Sequence, residues 1–279
     1  MMPPFTPQIL VNRALIRLGG EAVLAFLHNI LTCDVAELPP RVWAYGALLS
    51  PQGKIQHDLF LIHDGETVWL DCARNQRPDL LKKLLLYRLR AKITIDAVDQ
   101  FAVAVGLVNG LWAMDPRLAA MGQRGVVPAV PLPPALGNAA VDYHGHRISL
   151  GLADSEADIG VNELFPHEAN LDLVGGVSFT KGCYVGQEVV SRMQHRGTTR
   201  SRILCVGGDM ALPPKGTEIR SGEVLLGNLL SALGTQGLAL IRLDRLAGAK
   251  APLLSETVRV RVHKPDWMNL TIDIPEVAA

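Results

Sequence analysis

The chain has 279 residues with 27 basic and 27 acidic side chains, a formal net charge of zero, 48% hydrophobic residues and 19% charged ones. This is a globular composition with enough apolar surface for two domains or three small ones. Neutrality argues against tight non-specific nucleic-acid binding, which needs surplus Lys and Arg. The four cysteines, Cys33, Cys72, Cys183 and Cys205, include no Cys-x-x-Cys pair, so neither a permanently bound metal nor a disulfide framework is expected.

Met1 to Thr6 has neither a basic segment leading into an apolar run nor an Arg/Ser-rich amphipathic pattern, so a bacterial cytoplasmic protein is expected. Residues 21–31 place Val23, Phe26, Leu27 and Ile30 on one helical face. Ala47–Leu49, the turn Pro51–Lys54 and Ile55–His63 read as a hairpin, with a further strand over Thr67–Cys72. Pro78–Leu89 reads as a helix with proline in its first turn, followed by strands over Lys92–Ala97 and Ala102–Val108. The apolar stretch from Phe101 to Met114 is too short to span a membrane. Gly125–Gly137 reads as a loop and Ala140–Gly151 contains a predicted strand. Residues 153–170 read as irregular, with Asp154, Glu156, Asp158 and Glu163 as solvated surface. Beyond Gly197 short β runs follow (Ser201–Val206, Thr217–Arg220, Glu223–Leu226, Gly237–Leu243, Thr257–Val262), the pattern of a small barrel or sandwich. A boundary therefore falls near residue 197, dividing the chain into 1–196 and 197–279.

The segment Lys181-Gly182-Cys183-Tyr184-Val185-Gly186-Gln187-Glu188 sets a cysteine between two glycines, two residues after a lysine and just before a predicted helix over 187–196. Most free cysteines are small buried hydrophobes. A nearby ammonium or helix N-terminus, however, favours the reactive thiolate. Glu188 sits early in this helix, Arg192, His195 and Arg196 sit late, and Gly197 is placed to cap it. His195 lies about 18 Å from Cys183 along a continuous helix, so the two do not form a catalytic pair.

This octet, with Val177–Thr180 before it and Arg192 and Arg196-Gly197 after it, resembles the signature of the YgfZ-type folate-binding proteins. These are relatives of the glycine-cleavage aminomethyltransferase (T protein) and include mitochondrial iron–sulfur assembly factors. Gly20–Leu27, Leu31–Val35, Gly46–Ile55, Leu86–Ile95 and Pro166–Leu171 are similar to further family segments and occur in the family's order. The resemblance implies an α+β fold: an aminomethyltransferase-like folate-binding region of two α/β halves with antiparallel sheets, then a C-terminal β-barrel.

It also implies a role in assembly or repair of iron–sulfur clusters, chiefly in [4Fe–4S] enzymes. Cys183 would be the reactive group and Lys181 would hold its thiolate by charge. Tetrahydrofolate is the implied cofactor, and Tyr143, Glu168, Asn170, Tyr184, Gly186, Gln187, Glu188 and Arg192 are candidate pocket residues. The implied partners are iron–sulfur assembly proteins and client apo-enzymes, with no nucleic acid or membrane, and the chain is expected to act as a monomer.

The chain departs from the T-protein pattern at two positions. His57 stands where the first of two consecutive aspartates would be, although a solvent-facing strand residue is the plainer reading of it. Ser149 stands where a pterin-binding glutamate would be, and a serine does not pair two ring donors as a carboxylate does. Two alternatives stay open at this point. One is a folate-dependent aminomethyl transferase. The other is a non-catalytic folate-binding interaction module.

Overall fold

Period-two alternation decides which side chains meet in the first half of the chain. The computed structural model describes residues 7–106, 110–129, 140–197 and 199–278. A five-stranded antiparallel sheet is built from β2 (Arg13–Gly19), β3 (Ala44–Leu49), β4 (Ile55–His63), β5 (Thr67–Ala73) and β6 (Thr94–Val98), in the order β3-β4-β5-β2-β6. Leu59, Leu61, Leu70, Ile16 and Leu18 turn to one face, where α1 (Val23–Ile30) and α2 (Arg77–Arg88) bury Val23, Phe26, Leu27, Ile30, Leu80 and Leu84 against them. Phe60, Ile62, Trp69 and Leu15 turn to the other face. There they meet a second sheet of order β1-β7-β9-β8, made of β1 (Gln8–Ile9), β7 (Phe101–Val105), β8 (Leu111–Met114) and β9 (Gln123–Pro128).

Two predicted elements differ. Ala140–Ser149 is a helix, α3, and not a strand. Its buried Arg147 accounts for the difference, because it meets Asp158 on one side and the barrel on the other. The guanidinium donates to Asp158 Oδ2 at 2.6 Å, to Ser231 Oγ at 2.7 Å and to the Leu152 carbonyl at 3.0 Å. Asp158 is 1% exposed and also accepts from the Ser231 backbone N–H at 2.8 Å. Asp158 is therefore an interior group and Asp154 a half-buried one, and together they shape a π-helical turn over Ser155–Ile159. Gly125–Pro128, expected as loop, belongs to β9 and pairs with β7 residue by residue. The remainder of the expected loop, residues 130–137, lies outside the described residues.

After α4 (Gln187–Arg196) six strands close a barrel in the order β10-β13-β12-β11-β14-β15. They are β10 (Ser201–Gly208), β11 (Glu218–Ser221), β12 (Val224–Leu233), β13 (Gln236–Arg242), β14 (Leu253–Ser255) and β15 (Val258–His263), with a single helical turn, α5 (Leu243–Leu246), after β13. Inward residues such as Leu204, Val206, Leu229, Ile241, Val260 and Val262 fill it. Closure leaves this sheet without edges. No described helix is long and apolar enough to cross a membrane.

Asp158→Ala would leave the Arg147 guanidinium buried and unpaired. A loss of about 3–5 kcal/mol of stability is expected, measured by denaturant unfolding. An unchanged midpoint would show that the pair does not hold α3 to the barrel.

Candidate functional site

The signature loop is mounted on the first sheet through contacts that leave little freedom. Gly186 has φ of 80°, and a Cβ there would sit 2.6 Å from the Ser50 carbonyl oxygen. From the opposite side, a Cβ on Gly53 would sit 2.9 Å from Val189 Cβ. Only glycine accepts this approach between the β3–β4 turn and the start of α4. Tyr184 is buried, which pushes its phenol up to about 12. Val190 is fully buried beneath α4, and Gly197 closes that helix in a left-handed conformation as expected.

Lys181 does a different job from the one expected. Its ammonium donates to the carbonyl of His28, to that of Leu31 at 2.7 Å and to that of Cys33 at 3.1 Å. An ammonium has three donors, so all are committed to the C-terminal end of α1, where a cation also complements the helix dipole. Burial lowers its pKa, partly offset by Cys33 and Asp34. Lys181 therefore clamps the loop to α1, and the charges that bear on it are those of Cys33 and Asp34.

Cys183 projects from the clamped loop and is the one exposed cysteine of the four. A Cβ built on the neighbouring Gly182 would meet nothing within 4 Å, so the space beside the thiol is open. Burial pushes the thiols of Cys33 and Cys72 up to about 12 and that of Cys205 to about 11. A thiol held protonated is a poor nucleophile and a poor metal ligand. Of the four thiols, only that of Cys183 is exposed.

The other expected site residues do not gather around it. Glu188 and Arg192 form an exposed i,i+4 pair at 2.7 Å on α4, the helix that Gln187 begins. Glu168 accepts the Phe165 backbone N–H at 2.9 Å, and its carbonyl accepts from Ile203 of β10. Asn170, with φ of 61°, donates to the Ile203 carbonyl at 2.8 Å and accepts from Arg202. Both fasten the barrel to the preceding region. Arg202 is buried and paired with Asp172 at 2.8 Å.

His57 is 1% exposed, which corrects the solvent-facing reading. Alternation turns it under α2, with Nδ1 3.1 Å from Gln76 Oε1 and Nε2 2.9 Å from Asp79 Oδ2. Its neighbour Asp58 faces the opposite way and accepts from the Tyr45 hydroxyl at 3.0 Å.

Tyr143 lies apart from the signature, on α3, facing the space between the two sheets. Arg117 and Arg124 each donate to its hydroxyl at 3.1 Å. Arg124 and Arg13 both bind Asp71, which is fully buried, and Arg117 binds Asp115 at 2.8 Å. All three guanidinium groups lie over the Phe60 ring, at 4.0 to 5.5 Å from its centroid. Arg117, Arg124 and Asp71 carry no local motif. The only signal was an aspartate inside the apolar run Thr67–Ala73, which demands a buried partner. The cavity bordered by Arg13, Asp58, Tyr143 and Ser155 measures about 10 Å³, room for one water. A space of this size among self-paired arginines does not admit a pterin. Ser149, on the exposed side of α3, donates to the His146 carbonyl and takes no part in this space. Among the described residues no group of three or more His, Cys, Asp and Glu is arranged to hold a metal ion.

Three outcomes follow from these arrangements. Titration of the native chain with a thiol-specific disulfide should consume one thiol rapidly and the other three only on unfolding; fast reaction of two or more would contradict the burial described. Lys181→Met should lower stability by about 1–3 kcal/mol through the lost carbonyl partners, while Cys183 alkylation changes by less than about twofold, since no ammonium is lost from the sulfur. Burial raises the carboxyls of Asp115 and Asp154, but Arg117 at the first and Arg147 and Arg13 at the second outweigh it and hold both below the ordinary range. The stability they contribute is present above about pH 4 and is lost as pH falls through their folded values. Asp115→Asn should accordingly flatten the acid limb of the thermal midpoint against pH; an unaltered limb would remove Asp115 from that account.

Comparison with known proteins agrees with the two-part architecture. Residues 200–270 match the model of the CAF17 C-terminal β-barrel domain. A crystal structure of the glycine cleavage system aminomethyltransferase T from Bartonella henselae superposes with a TM-score of 0.75 at 14% identity, covering 96% of this chain and 87% of that one, a likeness of fold. The mitochondrial iron–sulfur cluster assembly factor IBA57 of Homo sapiens is 30% identical, covering 92% of this chain and 83% of its own. The Mus musculus protein is 30% identical with the same coverage, and the Pyricularia oryzae homologue is 28% identical over 87% of this chain and 73% of its own. These relatives are named as mitochondrial, which overturns the cytoplasmic placement expected from Met1–Thr6, residues that lie outside the described structure. At this identity and coverage, the chain belongs to the family of the iron–sulfur cluster assembly factor IBA57.

Proposed function

We propose that this chain is an accessory factor in the assembly or repair of iron–sulfur clusters, of the YgfZ type, and that Cys183 is its reactive group. The observation that carries the reading is the pairing of one accessible thiol with a loop pinned on both sides. Tyr184 and Gly186 are packed below it and Lys181 is clamped to α1. A cysteine held in this way reaches a partner's cluster without the ordering cost a mobile loop would incur. The cluster is cargo. The thiol gives up its proton to solvent as sulfur bonds to an iron of the cargo and a previous ligand leaves that iron, and the reverse exchange releases it. Partners of this chemistry are assembly proteins that carry clusters and client apo-enzymes that receive them, with this chain acting as a monomer.

The aminomethyl-transferase alternative finds little support, since the inter-sheet space is filled by Arg13, Arg117 and Arg124 with their carboxylates. A non-catalytic module would not need an exposed thiol on a rigid mount.

Complementation of a strain lacking its own copy, read as activity of a [4Fe–4S] enzyme at equal protein levels, tests the proposal. Wild type should restore activity. Cys183→Ser should leave about a tenth or less of it, as losses of 10- to 100-fold are typical when a metal-site group is removed. Full rescue by Cys183→Ser would remove the thiol from the mechanism.

A further inference from the structure

α2 buries Leu80 and Leu84 on its inner face, yet its C-terminal end does not turn polar on the outside. Leu85, Leu86 and Leu89 are 42%, 70% and 84% exposed. Spacings of three and four residues make them neighbours, and together they form an apolar ridge on the surface. Leu89 follows the helix with φ of 47° and ψ of −109°, a conformation that glycine adopts at lower cost. Its side chain is too exposed to offset that cost by burial in the fold.

The ridge has a charged border of one sign. Residues 80–95 contain Lys82, Lys83, Arg88, Arg90 and Lys92 and no acidic residue, in a chain whose total formal charge is zero. Lys83 is engaged with Asp79, and Arg88 donates to the Ile93 carbonyl. Lys82, Arg90 and Lys92 are exposed and have no ion-pair partner among the described residues.

We propose that the C-terminal end of α2 is a docking surface for a protein partner that presents apolar side chains bordered by Asp and Glu. An apolar centre with a polar rim is the anatomy of a protein interface, and the uniform positive border selects a negative partner and steers its approach. A lipid surface is the weaker occupant. A membrane-lying helix offers a whole apolar face, whereas the inner face of α2 is already spent on the core and one turn of leucines remains. Only the identity of the partner rests on the assembly-factor reading; the surface itself does not.

The test places photoreactive p-benzoylphenylalanine at position 86 of the full chain in cells, with the same residue at exposed Val224 on the barrel as control, and identifies cross-linked peptides by mass spectrometry. Adducts are expected from position 86 and not from 224, on peptides of net negative charge from iron–sulfur proteins. Arg90→Glu with Lys92→Glu should cut adduct yield about tenfold. Leu89→Gly should cut it as well while keeping or raising the thermal midpoint, which separates docking from folding. Equal adducts at both positions, neutral or basic peptides, adducts only with a second copy of this chain, or yields indifferent to charge reversal would each overturn the proposal. So would charge-dependent sedimentation with phosphatidylglycerol vesicles in place of any protein adduct. Adducts with an acidic protein that handles no cluster would leave the docking surface standing and count against the assembly role.

Discussion

A single buried carboxylate, Asp71, ties the two halves of the first region together. It lies on β5 of the first sheet, is fully buried, and is held by Arg13 of the same sheet and Arg124 of the second. Arg124 also offers its carbonyl to the Trp43 indole N–H at 2.8 Å, so charge and packing fix the same register. A buried pair of this kind adds little net stability over an apolar substitute, but losing one partner strands the other. The consequence for function is spatial. The three guanidinium groups stacked on Phe60 fill the space between the sheets, and the exposed thiol of Cys183 lies outside it.

Much of the framework is legible in the sequence because its signals are local. The apolar face of α1, the turn at Pro51–Lys54 and the glycine after α4 each follow from residues within one or two turns of chain. Elements failed where a distant partner overrides local preference. Residues 140–149 carry an ambiguous pattern, and the strong pairing of Arg147 with Asp158 and Ser231 belongs to a helix. The acidic run after residue 153 resembles solvated surface until that arginine is placed beside it.

The candidate site divides in the same way. The motif identifies Cys183 from its neighbours in sequence, and the exposure of its thiol agrees with a reactive role. Lys181 is two residues away in the chain and invites an electrostatic role, yet its long side chain reaches the end of α1. Short sequence separation says little about where a lysine's ammonium goes. Glu168 and Asn170 lie near the motif in sequence, yet the Glu168 carboxylate turns back to the Phe165 N–H and the Asn170 side chain reaches Ile203 of β10. The thiol of Cys183 and the leucines at the end of α2 are both exposed, whereas the cations between the sheets are paired within the fold.

Whether Cys183 meets the cargo is the central question, and protection of its thiol answers it most directly. The purified chain is mixed anaerobically with a protein carrying a labile [4Fe–4S] cluster, and alkylation of Cys183 is followed by mass spectrometry against the same mixture with the cluster-free carrier. The account predicts slower alkylation only when the cluster is present. Equal rates in both mixtures would contradict it, because a sulfur bonded to iron is not free to react.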